Sequence, residues 1–250
     1  MSTIKKTDDF LKKREGIDKV LKLVRYTAKL TTYYQLRDGA SSDLGISLKQ
    51  LDSHLGVARK SLRIGKFIGN GLDVQKALQS ENPGTVEFLK VVGGSAETIY
   101  YFLEQIMWLL KSGVLKDKEL EKKLGRVETY FELTGYIAAI AIGMIQLKRL
   151  QEKETELLED ALHKKDDDFE KVAVRTTAKG EVVTRDHHEC LQHIRMQRIP
   201  VILGLVQNFA DASIAVGDLA GDGNVLAHPV TVSLCGLLSG CISAHGKWNT

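Results

Sequence analysis

The sequence predicts an all-α protein, a membrane-associated helical bundle with an amphipathic interfacial helix and one or two candidate transmembrane segments. Three observations predict it. Apolar residues recur at helical spacing through most of the 250 residues, which include only three prolines. Residues 47–72 place apolar and basic side chains on opposite arcs of one helical wheel. Two stretches carry no charged residue: 15 residues from Leu133 to Leu147, and 24 from Gly223 to Gly246. Apolar content of 43% against 27% charged excludes a wholly disordered chain. Three regions are expected: a helical region at 1–150 with the basic amphipathic helix, a charged helix and linker at 151–190, and an apolar helical, membrane-anchoring region at 191–250.

A first helix is expected from Asp8 or Asp9 towards Leu36, bent or broken near Gly16. Ile17, Val20, Leu21, Val24 and Ala28 recur along one side, and Lys19, Lys22, Arg25 and Lys29 fill the other. The stretch RDGASSDLG reads as a loop. Ser47 and Gln50 then form a capping box, with Ile46 and Leu51 at the staple positions. From there Leu51, Leu55, Ala58 and Leu62 make one stripe, widened by Ile64, Ile68 and Leu72. Arg59, Lys60, Arg63 and Lys66 gather opposite, with Lys49 beside them. Phe67 departs from the pattern by falling within the basic arc.

After SENPG, where Pro83 suits a first helical turn, residues 86–110 are apolar almost all round. Glu87, Glu97 and Glu104 interrupt them, and Gly113 is placed to end the helix. A fourth helix is expected after Asp117, carrying the first uncharged stretch and continuing into a solvated charged run. Residues 172–186 read as a linker, and Asp186 and Glu189 as caps of a helix carrying IPVILGLVQNFA. The 15-residue stretch falls short of the roughly 20 residues needed to span. The segment Val225–Ser243 is long enough and holds a G-x-x-x-G pair, Gly236 and Gly240, suited to close packing in lipid.

Charge is unevenly spread. Residues 1–66 hold fifteen Lys/Arg against seven Asp/Glu, and the remainder twenty against twenty-five. A basic N-terminal third implies an acidic partner. The basic helix could be a core helix with a solvated charged face. It could also lie in a membrane interface, where each cation near anionic lipid contributes about 1 kcal/mol. No aromatic stacking platform accompanies the basic arc, so no nucleic-acid partner is expected. His187, His188, Cys190 and His193 match no standard metal spacing. The DGN beginning at Asp222 meets Ser233 where a calcium loop would close with glutamate. No nucleophile elbow or catalytic pairing is found, so neither an enzyme nor a cofactor is expected. Three cysteines, Cys190, Cys235 and Cys241, fit a reduced, cytosol-facing protein. The first residues lack the apolar core of a secretory signal.

Four phrases carry a resemblance: GIDKVLKLVRYTAK (16–29), GVARKSLRIGKF (56–67), IYYFLEQIMWLLKSGVL (99–115) and ELTGYIAAIAI (132–142). In this order and spacing they resemble the peroxin-eleven family of peroxisomal membrane proteins. FADASIAVGDLAGDG (209–223) is similar to the plant-type branch. The resemblance implies a mainly helical protein of the peroxisomal membrane that elongates and proliferates peroxisomes through an inserted amphipathic helix. That membrane-binding role falls here on Leu51, Leu55, Arg59, Lys60, Leu62, Arg63, Lys66 and Ile68. It also implies an anionic phospholipid membrane as partner, homo-oligomers, and contact with a tail-anchored fission adaptor and a dynamin-type GTPase. A soluble helical adaptor and a metabolite pore are the alternatives. The dilysine ending of some members is not matched, since Lys247 stands alone.

Overall fold

The computed structural model describes residues 3–37, 43–81, 84–172, 180–221 and 223–248, with side chains throughout except at 160–190. Among the described residues there is no strand. The helices are α1 (Thr3–Lys12), α2 (Arg14–Leu36), α3 (Asp43–Leu62), α4 (Lys66–Leu78), α5 (Thr85–Lys111), α6 (Lys118–Val172), α7 (Gly180–Ala220) and α8 (Pro229–Trp248), with a short 3-10 turn at Val225–Ala227 before α8. The chain forms two compact units. The first comprises 1–142 and 206–250, and the second 143–205. The sequence boundaries at 150 and 190 therefore do not coincide with the compact units, because α8 and the end of α7 return to complete the first.

Within the first unit α2 packs against α3 and α8, α4 against α5, and α1 against α2 and α8. The α2–α8 contact depends on the glycine pair. A Cβ at Gly236 would come within 2.4 Å of the Tyr26 ring, and one at Gly240 within 2.8 Å of Leu23 Cδ2. Small residues allow this approach where lipid supplies no hydrophobic drive between helices. Within the second unit Glu154 on α6 accepts from Arg195 (3.0 Å) and Arg198 (2.5 Å) on α7, and Leu205 lies over Gly143.

Several expectations are corrected. The first break falls at Lys13, whose extended backbone (φ −84°, ψ 129°) interrupts the helical ladder. α3 starts at Asp43, not Ser47. Asp43 faces the positive end of the helix dipole, and Ser47 Oγ donates back to the Asp43 carbonyl at 2.9 Å inside the helix. Residues 47–72 are not one helix, because Gly65 (φ +78°) separates α3 from α4. That break resets the wheel, so Phe67 leaves the basic arc and meets the Phe102 ring edge-on at 5.7 Å. α7 begins at Gly180, ahead of the expected linker end and caps. Residues 173–179, Pro83, Asp222 and the side chains of Asp186, His187, His188, Glu189 and Cys190 lie outside the described residues. Three helices, not one or two, are long and apolar enough to cross a membrane: Lys118–Glu159, Leu191–Ala220 and Pro229–Trp248. The middle one was missed because its apolar run was read as stopping at Ala210, whereas Ala212, Ile214, Ala215 and Val216 continue it with Asp211 as the interruption.

Candidate membrane interface and its buried charge network

The sequence places a basic and an apolar arc on α3–α4, and the structure sets their direction. The basic arc turns inward. Arg59 is 7% exposed, and Lys60 and Arg63 are largely covered. The apolar arc turns outward: Leu51, Ile64, Ile68 and Leu72 are exposed, while Leu55 and Leu62 are half-buried. The exposed face continues on α5 through Phe88, Val92, Ile99 and Phe102. Lys66 is exposed, with its ammonium 2.6 Å from the Tyr101 hydroxyl and over that ring.

The inward cations meet carboxylates of the same chain. Arg59 donates to Asp18 on α2 at 2.8 Å. Arg63 reaches Asp18 (3.3 Å) and Glu104 on α5 (3.0 Å). Lys60 bridges Glu104 (3.3 Å) and Glu128 on α6 (2.6 Å). Arg25 on α2 holds Asp52 on α3 at 2.7 Å. A second node joins α2, α7 and α8: Lys22 donates to Asp211 (2.8 Å) and Ser239 (2.5 Å), and Ser239 donates to Asp211 (2.6 Å). Removing one partner of such a buried pair strands the other and costs about 3–5 kcal/mol.

Titration follows this geometry. Burial alone would raise the Asp18 carboxyl, but Arg63 and Arg59 outweigh it and hold it well below the usual carboxylate range. Burial pushes Lys19 down to about 8, with Asp18 opposing. Burial also lowers Lys22, against the pull of Asp211.

Most of these groups, though not Asp18, Asp52 or Ser239, line a cavity of about 460 Å³. One wall is cationic, from Lys19, Lys22, Arg25 and Lys29 on α2, Arg59 and Lys60 on α3, Arg63 in the turn after α3, and Lys66 on α4. The other is acidic, from Glu97 and Glu104 on α5, Glu128 and Glu132 on α6, and Asp211 and Asp218 on α7, with Lys111 the exception among the lining residues. The excess of positive charge in residues 1–66 thus faces acids supplied by later parts of the chain. Glu104 Oε2 is buried with no hydrogen-bond partner. Sequence reading missed Asp18, Glu104, Glu128 and Asp211 as site residues. A signal was present, since Glu97 and Glu104 lie seven apart, on one face of an otherwise apolar helix. Among the described residues no group of His, Cys, Asp and Glu side chains could hold a metal ion.

Exposed apolar helices around a charged interior are the reverse of a water-soluble bundle, and they suit a lipid surround. Comparison with known proteins agrees. The family model for Peroxisomal biogenesis factor 11 (PEX11) matches residues 4–248. Peroxisomal membrane protein 11-3 of Oryza sativa subsp. japonica is 32% identical over 96% of this chain and 87% of its own length. Peroxisomal membrane protein 11A of Arabidopsis thaliana is 28% identical over 96% of this chain and 90% of its own. No solved structure matches. This chain belongs to the Peroxisomal biogenesis factor 11 (PEX11) family and is a protein of the peroxisomal membrane.

Proposed function

We propose that the protein elongates the peroxisomal membrane and promotes peroxisome proliferation and fission by wedging the apolar arc of α3–α4 into one leaflet. The observation that carries this reading is the outward exposure of Leu51, Ile64, Ile68 and Leu72 on helices whose charged side is tied to the bundle. An apolar side chain moved from water into acyl chains gains about 1.5–3 kcal/mol. A helix lying at the headgroup boundary expands its own leaflet more than the opposite one. Area mismatch between leaflets favours curvature, and adjacent copies sum it. Anionic phospholipid, further copies of this chain, and a tail-anchored adaptor with a dynamin-type GTPase are the partners of this reading. The test replaces Leu51 and Ile68 together by Asp in the full chain. The variant is expected to reach peroxisomes through α6, α7 and α8 and to leave them short. If peroxisomes lengthen as they do with the parent at matched expression, this helix is not the wedge.

A second reading, a pore for small polar solutes, is favoured by one specific observation. The charged 460 Å³ cavity lies in the unit that contains parts of all three span-competent helices. A swelling assay on vesicles reconstituted with the full chain tests it, and vesicles that stay impermeable to sugars and small acids remove it.

A further inference from the structure

We infer that the basic side of α3 is a latent site for anionic phospholipid headgroups, closed by the chain's own carboxylates and opened by contact with an anionic bilayer. The inference deepens the wedge reading and rests on it, since it names what regulates the same helix. Among the described residues, Arg59 and Lys60 near the end of α3 and Arg63 in the turn after it hold the close ion pairs that tie this end of the helix to the bundle, and their partners are Asp18, Glu104 and Glu128. A guanidinium or ammonium binds phosphate as readily as it binds carboxylate. The internal carboxylates and a headgroup layer therefore compete for the same three side chains.

Two structural features keep that competition close to balance. Buried ion pairs gain little net free energy over solvated ones, because desolvation cancels most of the attraction. The closed arrangement also leaves Glu104 Oε2 buried and unpartnered, an acceptor that opening would hydrate. The turn at 63–65, with Gly65 at φ +78°, is a break at which α3 can move while α4 stays packed on α5. The Lys22–Asp211–Ser239 node lies on α2, α7 and α8 and takes no side chain from α3, so it persists when α3 leaves. A ligand shifts such an equilibrium only through its differential affinity for the two states, and the anionic surface has it because only the open state presents the cations.

The test uses the unmodified full chain reconstituted in vesicles. Carbodiimide-driven labelling of carboxylates, read by mass spectrometry, reports the exposure of Asp18 and Glu104, which are 6% and 1% exposed in the closed arrangement. Phosphatidylserine mixed into phosphatidylcholine vesicles should raise labelling of both several-fold, and high salt should reverse the rise. Asp211, 8% exposed and held by Lys22, should stay unlabelled in every condition. Glycerophosphoserine, the same headgroup without acyl chains, should have no effect. Flat labelling of Asp18 and Glu104 overturns the inference. So does a parallel rise at Asp211, which would mean general loosening, or an equal effect of glycerophosphoserine, which would mean a soluble-anion site. The wedge reading is judged separately, by peroxisome length with the Leu51/Ile68 variant, so either idea can fail alone.

Discussion

α3 and α8 are both 20 residues long, and both send their large apolar side chains outward, but they fill the interior in different ways. α8 buries Ser233, Gly236, Ser239 and Gly240 and exposes Leu234 and Leu238. Its inward surface is almost neutral and depends on close approach to α2. α3 buries Arg59 and covers Lys60, and the turn after it covers Arg63, so this inward surface depends on charges supplied from α2, α5 and α6. A glycine–serine face has no competitor in a bilayer, whereas a basic face competes for every anionic headgroup. On the proposed reading, the difference separates an anchor from an element that an anionic surface displaces.

The comparison can be broken first on the charged side. Asp18→Ala leaves Arg59 and Arg63 without a shared carboxylate and should cost about 3–5 kcal/mol of stability, read as a lowered unfolding midpoint in detergent. On the neutral side, Gly236→Leu forces a side chain into the Tyr26 ring and should cost about 1–3 kcal/mol in the same measurement. If the glycine variant proves as stable as the parent, α8 is not packed on α2 through this pair. A smaller effect is expected from pH. Lys19 is lowered to about 8 from 10.5, so between those values the unfolded chain binds the extra proton and stability should rise with pH. The rise is softened because Lys19 is partly exposed, and Lys19→Met should reduce it without abolishing it, since Lys22 is lowered in the same direction. The smallest change belongs to the outer face: Leu51→Ser in detergent should stay within about 0.5 kcal/mol of the parent. A large loss there would mean that the apolar arc packs against protein.

Periodicity made the helices legible in the sequence, and Gly113, at φ +81°, terminates α5 as read, two residues past its last helical residue Lys111. The family was legible from phrases such as GVARKSLRIGKF. The direction of the arcs was not. A helical wheel reports that apolar and basic residues oppose each other, and only the surrounding medium decides which side is buried. The excess charge of residues 1–66 implies acidic groups, and composition alone does not reveal that Glu104 and Glu128 of the same chain supply some of them. Asp18 went unnoticed because it stands among lysines, and Asp211 because it interrupts an apolar run. The break at Gly65 was hidden by apolar residues that continue on both sides of it, and the misfit of Phe67 was its trace.

Lys22 meets Asp211 and Ser239 across 189 and 217 residues of chain, and the Phe10 ring lies 5.5 Å from Trp248. These separations order the events of biosynthesis. α2 leaves the ribosome long before the helix that covers it, and closing so long a loop is slow. Until α7 is made Lys22 has neither of these partners, and until α8 is made it lacks Ser239 and the Tyr26 ring lacks the glycine groove it fits. The first unit therefore cannot complete this packing before α8 is made.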